Sequence, residues 1–214
     1  MERSRLTADI ALPREPKQER SRRKQHALLE SAAVLFADPG FEEVTADDIA
    51  AHAGFGTGTF YNYFTNKTQA FLMVAGLHET AIAPTMESVG EMLSAGAGLY
   101  EIARSIVLTM IEDRQKVPWL RRTWLRLALT DPDVDQVQRR LDHEWDAALG
   151  VVVAGILQSQ TTVIPLTASA HSFATTIRVM VDSVADEVVL IGSLSPEEAA
   201  SASACLIVGL LDNP

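Results

Sequence analysis

The chain has 214 residues, of which 47% are hydrophobic and 21% charged, with a formal net charge of −10. This balance is typical of a globular protein and excludes a disordered chain, and a chain of this length buries roughly 70% of its unfolded surface. The richest apolar run, LGVVVAGIL at residues 149–157, is about half of the roughly 20 residues that a membrane span requires. We therefore expect a soluble protein without membrane association.

The N-terminal residues show no continuous apolar segment followed by a small-residue cleavage site, so no secretory signal is visible. Cys205 is the only cysteine, which excludes a disulfide within the chain. Both observations suit a reducing environment, and we expect a cytoplasmic protein.

The charges are unevenly distributed. Residues 14–24 contain six Lys or Arg against two Glu, whereas residues from 71 onward contain 9 basic and 18 acidic side chains. A basic edge on an acidic body is compatible with DNA binding, because DNA binding means neutralising phosphates. On its own, however, such a run indicates only a solvated tail.

In chain order, Pro13 and Pro16 interrupt any periodicity and predict a mobile basic tail over residues 1–20. Apolar residues at i, i+4, i+7 and i+8 from Leu28 then predict a helix over 22–37 that residues 38–40 (Asp-Pro-Gly) terminate.

Two N-cap patterns follow. Thr45 with Asp48 predicts a capping box and a short second helix that stops at Gly54. Asn66 with Gln69 predicts the start of a long helix that continues beyond residue 75. Between them, propensity alone would favour a turn or strand over GTGTFYNY at residues 56–63.

Beyond residue 95 the pattern is helical almost throughout, and no strand pattern is found. We predict an all-α fold with helices over 98–115, 118–129, 132–158, 167–192 and 196–211, separated by breaks that include residues 161–165. The last two helices are apolar on more than one face and must be covered by another surface.

Residues 45–64 describe two short helices across a glycine-containing turn, which is a helix-turn-helix. Phe60 and Phe64, four residues apart, are expected to anchor the second helix on the core, while Thr57, Tyr61, Asn62 and Tyr63 face outward. The alternative is that Tyr61 and Phe64 are only core aromatics.

The segment TADDIAAHAGFGTGTFYNYFTNKTQAF, from Thr45 to Phe71, resembles the DNA-binding motif of the TetR family of transcriptional regulators. The resemblance covers roughly residues 22–75. It implies a three-helix DNA-binding head over residues 21–67 and a helical ligand-binding and dimerisation domain over 68–214. The chain departs from the pattern at Gly56, where the family usually has Ser, and at Phe55, where a smaller aliphatic residue is usual.

Carried onto this chain, the family's pattern implies base or nearby backbone contacts from Thr57, Gly58, Tyr61 and Asn62, and phosphate contacts from Thr45, Tyr63 and Lys67. The full predicted DNA-binding set is Thr45, Thr57, Gly58, Thr59, Tyr61, Asn62, Tyr63 and Lys67.

Enzyme interpretations find little support. The glycines of GFGTG at residues 54–58 follow a capped helix, whereas a dinucleotide-binding fingerprint follows a strand. The sequence has no Gly-x-Ser-x-Gly nucleophile elbow and no His-Glu-x-x-His zinc motif. We therefore expect no catalytic residues, no metal and no cofactor.

The larger part of the chain carries no signature, so its predictions lean on the resemblance. The family's habit of binding a small molecule there suggests an apolar pocket, for which we predict the residues Tyr100, Arg104, Met110, Trp124, His143 and Trp145. The same residues can equally form plain core.

Apolar residues on the last two helices predict a two-fold homodimer interface. They are Ile177, Val181, Val184, Val188, Val189 and Ile191 on one helix, and Ala204, Ile207, Val208, Leu210 and Leu211 on the other. A buried hairpin in a monomer is the alternative.

The resulting hypothesis is a repressor that binds palindromic operator DNA as a dimer and is released by a small, mostly apolar effector. The alternatives are an activator, a ligand-independent relative and an all-helical enzyme.

Overall fold

The computed structural model describes residues 18–78, 82–159 and 169–212 of the chain. Within these ranges the regular structure is helical and contains no β-strand, so the predicted all-α class is confirmed. Most of the predicted tail, and the predicted break over 161–165, lie outside the described residues. Of the helices described, none is both long enough and apolar enough to cross a membrane.

The helices in chain order are α1 (Glu19–Leu35), α2 (Ala46–His52), α3 (Thr57–Tyr61), α4 (Lys67–Ala75), α5 (Ile82–Ser94), α6 (Leu99–Lys116), α7 (Pro118–Thr130), α8 (Pro132–Ser159), α9 (Ala170–Asp186) and α10 (Pro196–Asp212).

The described chain divides into two compact units. The head unit contains residues up to 78 together with 119–138, and the body unit contains 82–118 and the residues from 139 onward. In this division by packing, α4 and most of α7 lie in the head unit, because their aromatic side chains complete its core. The predicted domain boundary at residue 67 stays a prediction.

That core is built around an aromatic cluster. The ring of Phe41 lies 5.1 Å from that of Phe36 and 5.5 Å from that of Phe71, and Phe71 in turn lies 6.2 Å from Trp124. All four side chains are buried. Aromatic rings at such distances add packing energy to their large buried area, so the cluster holds the segment that follows α1 against α4 and α7.

Helix α1 buries the predicted apolar stripe and ends where the sequence indicated. Phe36–Gly40 forms a π-helical turn, in which Asp38 leaves the helical conformation with φ −156° and ψ 120°. Pro39 follows, and since proline has no amide hydrogen to donate, the helical pattern stops here.

Helix α4 begins as predicted but is shorter. The Asn66 side chain accepts a hydrogen bond from the amide of Gln69 at 2.7 Å, which confirms the predicted N-cap. The helix ends at Ala75, after which the amides of Leu77 and His78 bond three residues back instead of four. The predicted long fourth helix is therefore wrong: α4 has nine residues.

The body unit contains α5, α6, the part of α8 from residue 139 onward, α9 and α10. The bounds of α6, α8 and α10 agree with the predicted helices to within one residue. Helix α9 begins three residues after its predicted start and finishes at Asp186, where it continues as a π-helical turn over Glu187–Ile191. The buried core of this unit joins three of the helices through Val107 and Ile111 of α6, Ile177 and Val181 of α9, and Ala204, Ile207 and Leu211 of α10.

Two arginines bind carboxylates of distant segments in the body unit. Arg178 on α9 donates to Asp146 at 2.6 Å and to Asp142 at 3.0 Å, both on α8. Arg114 on α6 donates to Asp182 and, at 2.8 Å, to Asp186. Ion pairs with this little exposure are tightly specified in geometry, so they fix how α6, α8 and α9 pack.

Candidate nucleic-acid interface

The helix-turn-helix begins at the capping box of α2. The amide of Asp48 donates to Thr45 Oγ1 at 3.2 Å, and the Thr45 amide donates to Asp48 Oδ2 at 2.9 Å, as the sequence predicted. Hydrogen bonds from the Thr45 hydroxyl and amide hold the pKa of Asp48 below its usual value. Thr45 is exposed, but its hydroxyl donates to Asp48 at 2.6 Å and must leave that carboxylate in order to donate to a phosphate.

A Schellman motif closes α2 and turns the chain. The amide of Gly54 donates to the carbonyl of Ala51 at 3.0 Å, and the amide of Phe55 donates to that of Ala50 at 2.8 Å. Gly54 has φ +76°, a left-handed conformation that favours glycine. This residue therefore sets the direction in which α3 leaves the turn.

Helix α3 is anchored by the two predicted phenylalanines. Phe60 and Phe64 are completely buried, with ring centroids 5.2 Å apart. The opposite side presents Tyr61, which is 52% exposed, together with exposed Asn62 and Gly58. A tyrosine with half its surface in water contributes little to packing, so its exposure is compatible with the predicted DNA contact.

Thr57 and Thr59 are half-buried on the same helix. The amide of Thr59 bonds the carbonyl of Gly56 at 2.8 Å, so the N-cap of α3 is formed by backbone alone. Because the N-cap residue is Gly56, the helix lacks the serine hydroxyl that the resembled family usually has at this position.

The prediction that Tyr63 faces outward is wrong. Its side chain is only 3% exposed, and its hydroxyl lies 2.8 Å from Ser21 Oγ on α1. The ring therefore does not face outward, and a phosphate contact through the Tyr63 hydroxyl stays a prediction. Tyr63 instead joins the end of the helix-turn-helix to the start of α1.

The ammonium of Lys67 is engaged within the head unit, and its phosphate contact stays a prediction. Its ammonium donates to the carbonyl of Phe41 and, at 2.9 Å, to that of Val44, and lies 4.2 Å from the centre of the Phe41 ring. Burial lowers the pKa of Lys67, and the nearby Glu42 opposes that shift. The charge is thus used inside the head unit, where it satisfies carbonyls of the connection between α1 and α2.

A contact outside the predicted set lies beside the turn. The ammonium of Lys24 on α1 lies 5.7 Å from the centre of the Phe55 ring, within the range of a cation–π contact. Phe55 directly precedes Gly56, the N-cap of α3. Neither residue belongs to the predicted DNA-binding set.

The six predicted pocket residues do not lie in one unit. Trp124 lies in the head unit, where its ring packs on Phe71 and its indole NH donates to Gln138. Trp124 thus packs in the head core, and ligand binding by this residue stays a prediction.

The other five residues lie in the body unit. Arg104 donates to Ser201 Oγ of α10 at 3.4 Å, and Met110 packs against the body core. Tyr100 and His143 are exposed, and Trp145 is half-buried. For these five, ligand binding stays a prediction.

The protein has a helix-turn-helix. Its features are a capped first helix, a left-handed glycine turn, and a second helix with buried aromatic and exposed polar residues. Comparison with known families agrees: residues 28–74 match the model of the bacterial regulatory proteins of the tetR family. The HTH-type transcriptional repressor KstR2 of Mycolicibacterium smegmatis is 44% identical over 57 residues, which is 27% of this chain and 27% of that protein. The match therefore spans about a quarter of that relative.

Solved structures resemble the chain over nearly its whole length. The FadR repressor of Thermus thermophilus, solved with lauroyl-CoA, has a TM-score of 0.61 at 19% identity and covers 86% of this chain and 93% of its own. SmeT, the repressor of a multidrug efflux pump in Stenotrophomonas maltophilia, has a TM-score of 0.62 at 15% identity, with coverages of 87% and 89%. These likenesses show the fold. The family match and the helix-turn-helix motif show that residues 28–74 are similar to the corresponding region of bacterial regulatory proteins of the tetR family.

Proposed function

We propose that this protein is a transcriptional repressor that binds palindromic double-stranded operator DNA as a homodimer and is released by a small, mostly apolar effector. The observation that carries the proposal is the outward presentation of Tyr61 and Asn62 on a helix whose other side is locked by Phe60 and Phe64. Since operator DNA lies in the bacterial cytoplasm, that is the compartment we propose.

The exposed side of α3 suits a major groove. In a helix-turn-helix the N-terminal residues of the second helix contact base edges. Asn62 offers an amide that can pair with adenine, and the Tyr61 hydroxyl can bond a base or a phosphate. Thr57, Gly58 and Thr59 line the first turn of this helix, and Thr45 stands exposed at the start of α2.

The dimer is proposed to form through α9 and α10. Val179 on α9 is 49% exposed, and Leu206 on α10 is 59% exposed with Leu210 one turn further along. Their neighbours Ile177, Val181 and Ile207 are buried inside the unit, so these helices present apolar residues on a second face. A two-fold interface covers such faces reciprocally.

Leu206→Gln tests this interface. We expect the variant to shift toward monomer in light scattering at micromolar concentration, while Val151→Gln, at an exposed apolar position on α8, leaves the dimer intact. A wild-type monomer would overturn the dimer and the palindromic operator together.

The effector is proposed to bind among the helices of the body unit, near Tyr100, Arg104, Met110, His143 and Trp145. The relative FadR was solved with lauroyl-CoA, a ligand with a long apolar chain. Release requires that the effector bind the DNA-incompetent form more tightly than the competent one. Half-sites lie about 34 Å apart or a multiple of it, so a modest change in head separation prevents simultaneous docking. An effector that saturates the protein without changing operator affinity would contradict this mechanism.

The test of the whole proposal is selection of binding sequences from a random duplex library. We expect an enriched palindrome and its loss with Tyr61→Ala. Val34→Ala is the matched control, because Val34 is a comparably exposed residue on α1 of the same unit and should leave the selection unchanged. A reporter gene downstream of the selected sequence then separates repression from activation. Failure of any duplex to enrich would reopen the enzyme alternative.

A further inference from the structure

The helix-turn-helix of this chain contains no side chain with a permanent positive charge. Residues 25–66 contain six Asp or Glu and no Lys or Arg. Yet duplex DNA carries one negative charge per about 1.7 Å of its axis, and binding it requires neutralisation of phosphates. Lys67, the next cation along the chain, is bonded to two backbone carbonyls.

The nearest other cations in the sequence lie at the start of α1. Arg20, Arg22, Arg23 and Lys24 are arranged over the first six residues of this helix. With 3.6 residues per turn, Lys24 lies between Arg20 and Ser21 around α1, about 40° from Arg20 and about 60° from Ser21. Arg22 lies on the opposite side of the helix, and Arg23 lies on the flank of Arg20 that is turned away from Lys24 and Ser21. Arg23 is paired with Glu19 at 3.2 Å.

The side of α1 that carries Arg20 and Lys24 adjoins the helix-turn-helix. Ser21 Oγ lies 2.8 Å from the Tyr63 hydroxyl, and the Lys24 ammonium lies over the Phe55 ring. Because Phe55 precedes the N-cap of α3, Lys24 stands beside the end of α3 that enters a groove.

We propose that Arg20 and Lys24 neutralise operator phosphates and that the start of α1 is thus part of the DNA interface, with Phe55 as the positioning residue for Lys24. The inference rests on the proposed operator binding. The positive charge that the helix-turn-helix lacks is then supplied by α1, which lies outside the motif.

The experiment compares two double variants with the same loss of charge on the same helix: Arg20→Gln with Lys24→Gln, and Arg22→Gln with Arg23→Gln. Affinity for the selected operator is measured between about 50 and 300 mM salt. Each lost phosphate contact should reduce the slope of log K against log salt by about 0.9 and weaken binding about fivefold at roughly 0.15 M salt. We expect this loss for Arg20 and Lys24, a much smaller one for Arg22 and Arg23, and the same sequence preference throughout.

Phe55→Leu tests the positioning. We expect about a twofold to fivefold loss of affinity in the wild-type background and no further loss when Lys24→Gln is already present. A merely structural role for Phe55 would instead cost the same in both backgrounds.

The outcomes separate this inference from the proposed function. If the wild-type protein enriches no duplex, operator binding itself fails. If it binds an operator and both double variants keep the wild-type slope, or both lose it equally, the assignment to Arg20 and Lys24 is overturned while operator binding stands. Thermal melting of each variant without DNA shows that the head is folded.

Discussion

The head unit and the body unit are held together by contacts of different range. In the head, the functional turn is fixed largely by bonds between near neighbours, such as Thr45 with Asp48 and Asn66 with Gln69. In the body, Arg114 and Arg178 bind carboxylates from segments 32 to 72 positions away. Hydrogen bonds between near neighbours appear in the sequence as residue pairs at a fixed spacing, whereas contacts between distant segments do not. For this reason a motif can be recognised in the head and not in the body.

The largest expected effect comes from breaking a long-range ion pair in the body unit. Arg178→Ala leaves Asp146, with only 9% side-chain exposure, buried without its charge partner. Removal of one member of a buried pair costs about 3–5 kcal/mol, which urea denaturation measures. Arg23→Ala, which breaks an exposed pair, should cost less than about 1 kcal/mol. Equal costs would mean that the body does not depend on its ion pairs.

The ion pair between Arg178 and Asp146 also makes the stability of the body unit depend on pH. Burial by itself would raise the pKa of Asp146, but hydrogen bonds from Arg178 and Thr175 outweigh it and hold the pKa below its ordinary value. A depressed pKa adds stability that is present above the unfolded pKa of about 3.9 and is lost as pH falls through the folded pKa. We expect Asp146→Asn to remove this part of the acid dependence in denaturation curves below about pH 5. An unchanged acid profile would argue against it.

Lys67→Gln tests the long-range contact in the head. Hydrogen bonds to charged groups contribute about 1.5–3 kcal/mol, and we expect a loss of this size in the thermal stability of the DNA-free protein. Lys116→Gln, at an exposed position of α6, is the control and should leave the melting temperature nearly unchanged. A Lys67 that served only to bind phosphate would leave the stability of DNA-free protein unchanged.

Among the local features, the left-handed turn should show the clearest loss of stability when its glycine is substituted. Gly54→Ala places a Cβ at φ +76° and should destabilise the head by about 1–2 kcal/mol. Gly58→Ala is the contrasting control, since Gly58 is helical, no atom lies within 4 Å of an added Cβ, and alanine favours a helix. Denaturation should therefore show opposite signs at two glycines on either side of the same turn.

The smallest effect concerns the N-cap of α3. Gly56 has an extended conformation with no atom within 4 Å of an added Cβ, so serine fits without strain. Gly56→Ser should raise stability by roughly a few tenths of a kcal/mol in chemical denaturation, because its hydroxyl can accept from an amide of the first turn. A loss of stability would show that the turn needs glycine for another reason.

The sequence predicted the fold class, most helix limits and the two N-caps, because each depends on periodicity or on residues a few positions apart. It did not predict the contacts that Tyr63 and Lys67, both within the motif, make in the structure. Their environments are set by Ser21, Phe41 and Val44, all of which lie far earlier in the chain. A motif specifies which residues are present, but whether each side chain is buried or exposed depends on contact residues outside the motif.

Trp124 illustrates the same limit in the larger part of the chain. The sequence did not indicate its packing on Phe71, a residue of the distant α4, which takes its ring into the head core. The end of α4 was misjudged for a different reason: the apolar pattern continues past Ala75, but the backbone bonds tighten after it.

The lack of Lys and Arg over residues 25–66 also bears on how such a regulator would search a chromosome. Attraction to DNA of arbitrary sequence is almost entirely electrostatic, so we expect it to come from the start of α1 alone and to be weaker than in a head that also carries cations in its helix-turn-helix. More of the protein then remains unbound in the cell, and fewer copies suffice to occupy a rare site. The same weak attraction reduces sliding along the duplex, so target location relies more on encounters from solution.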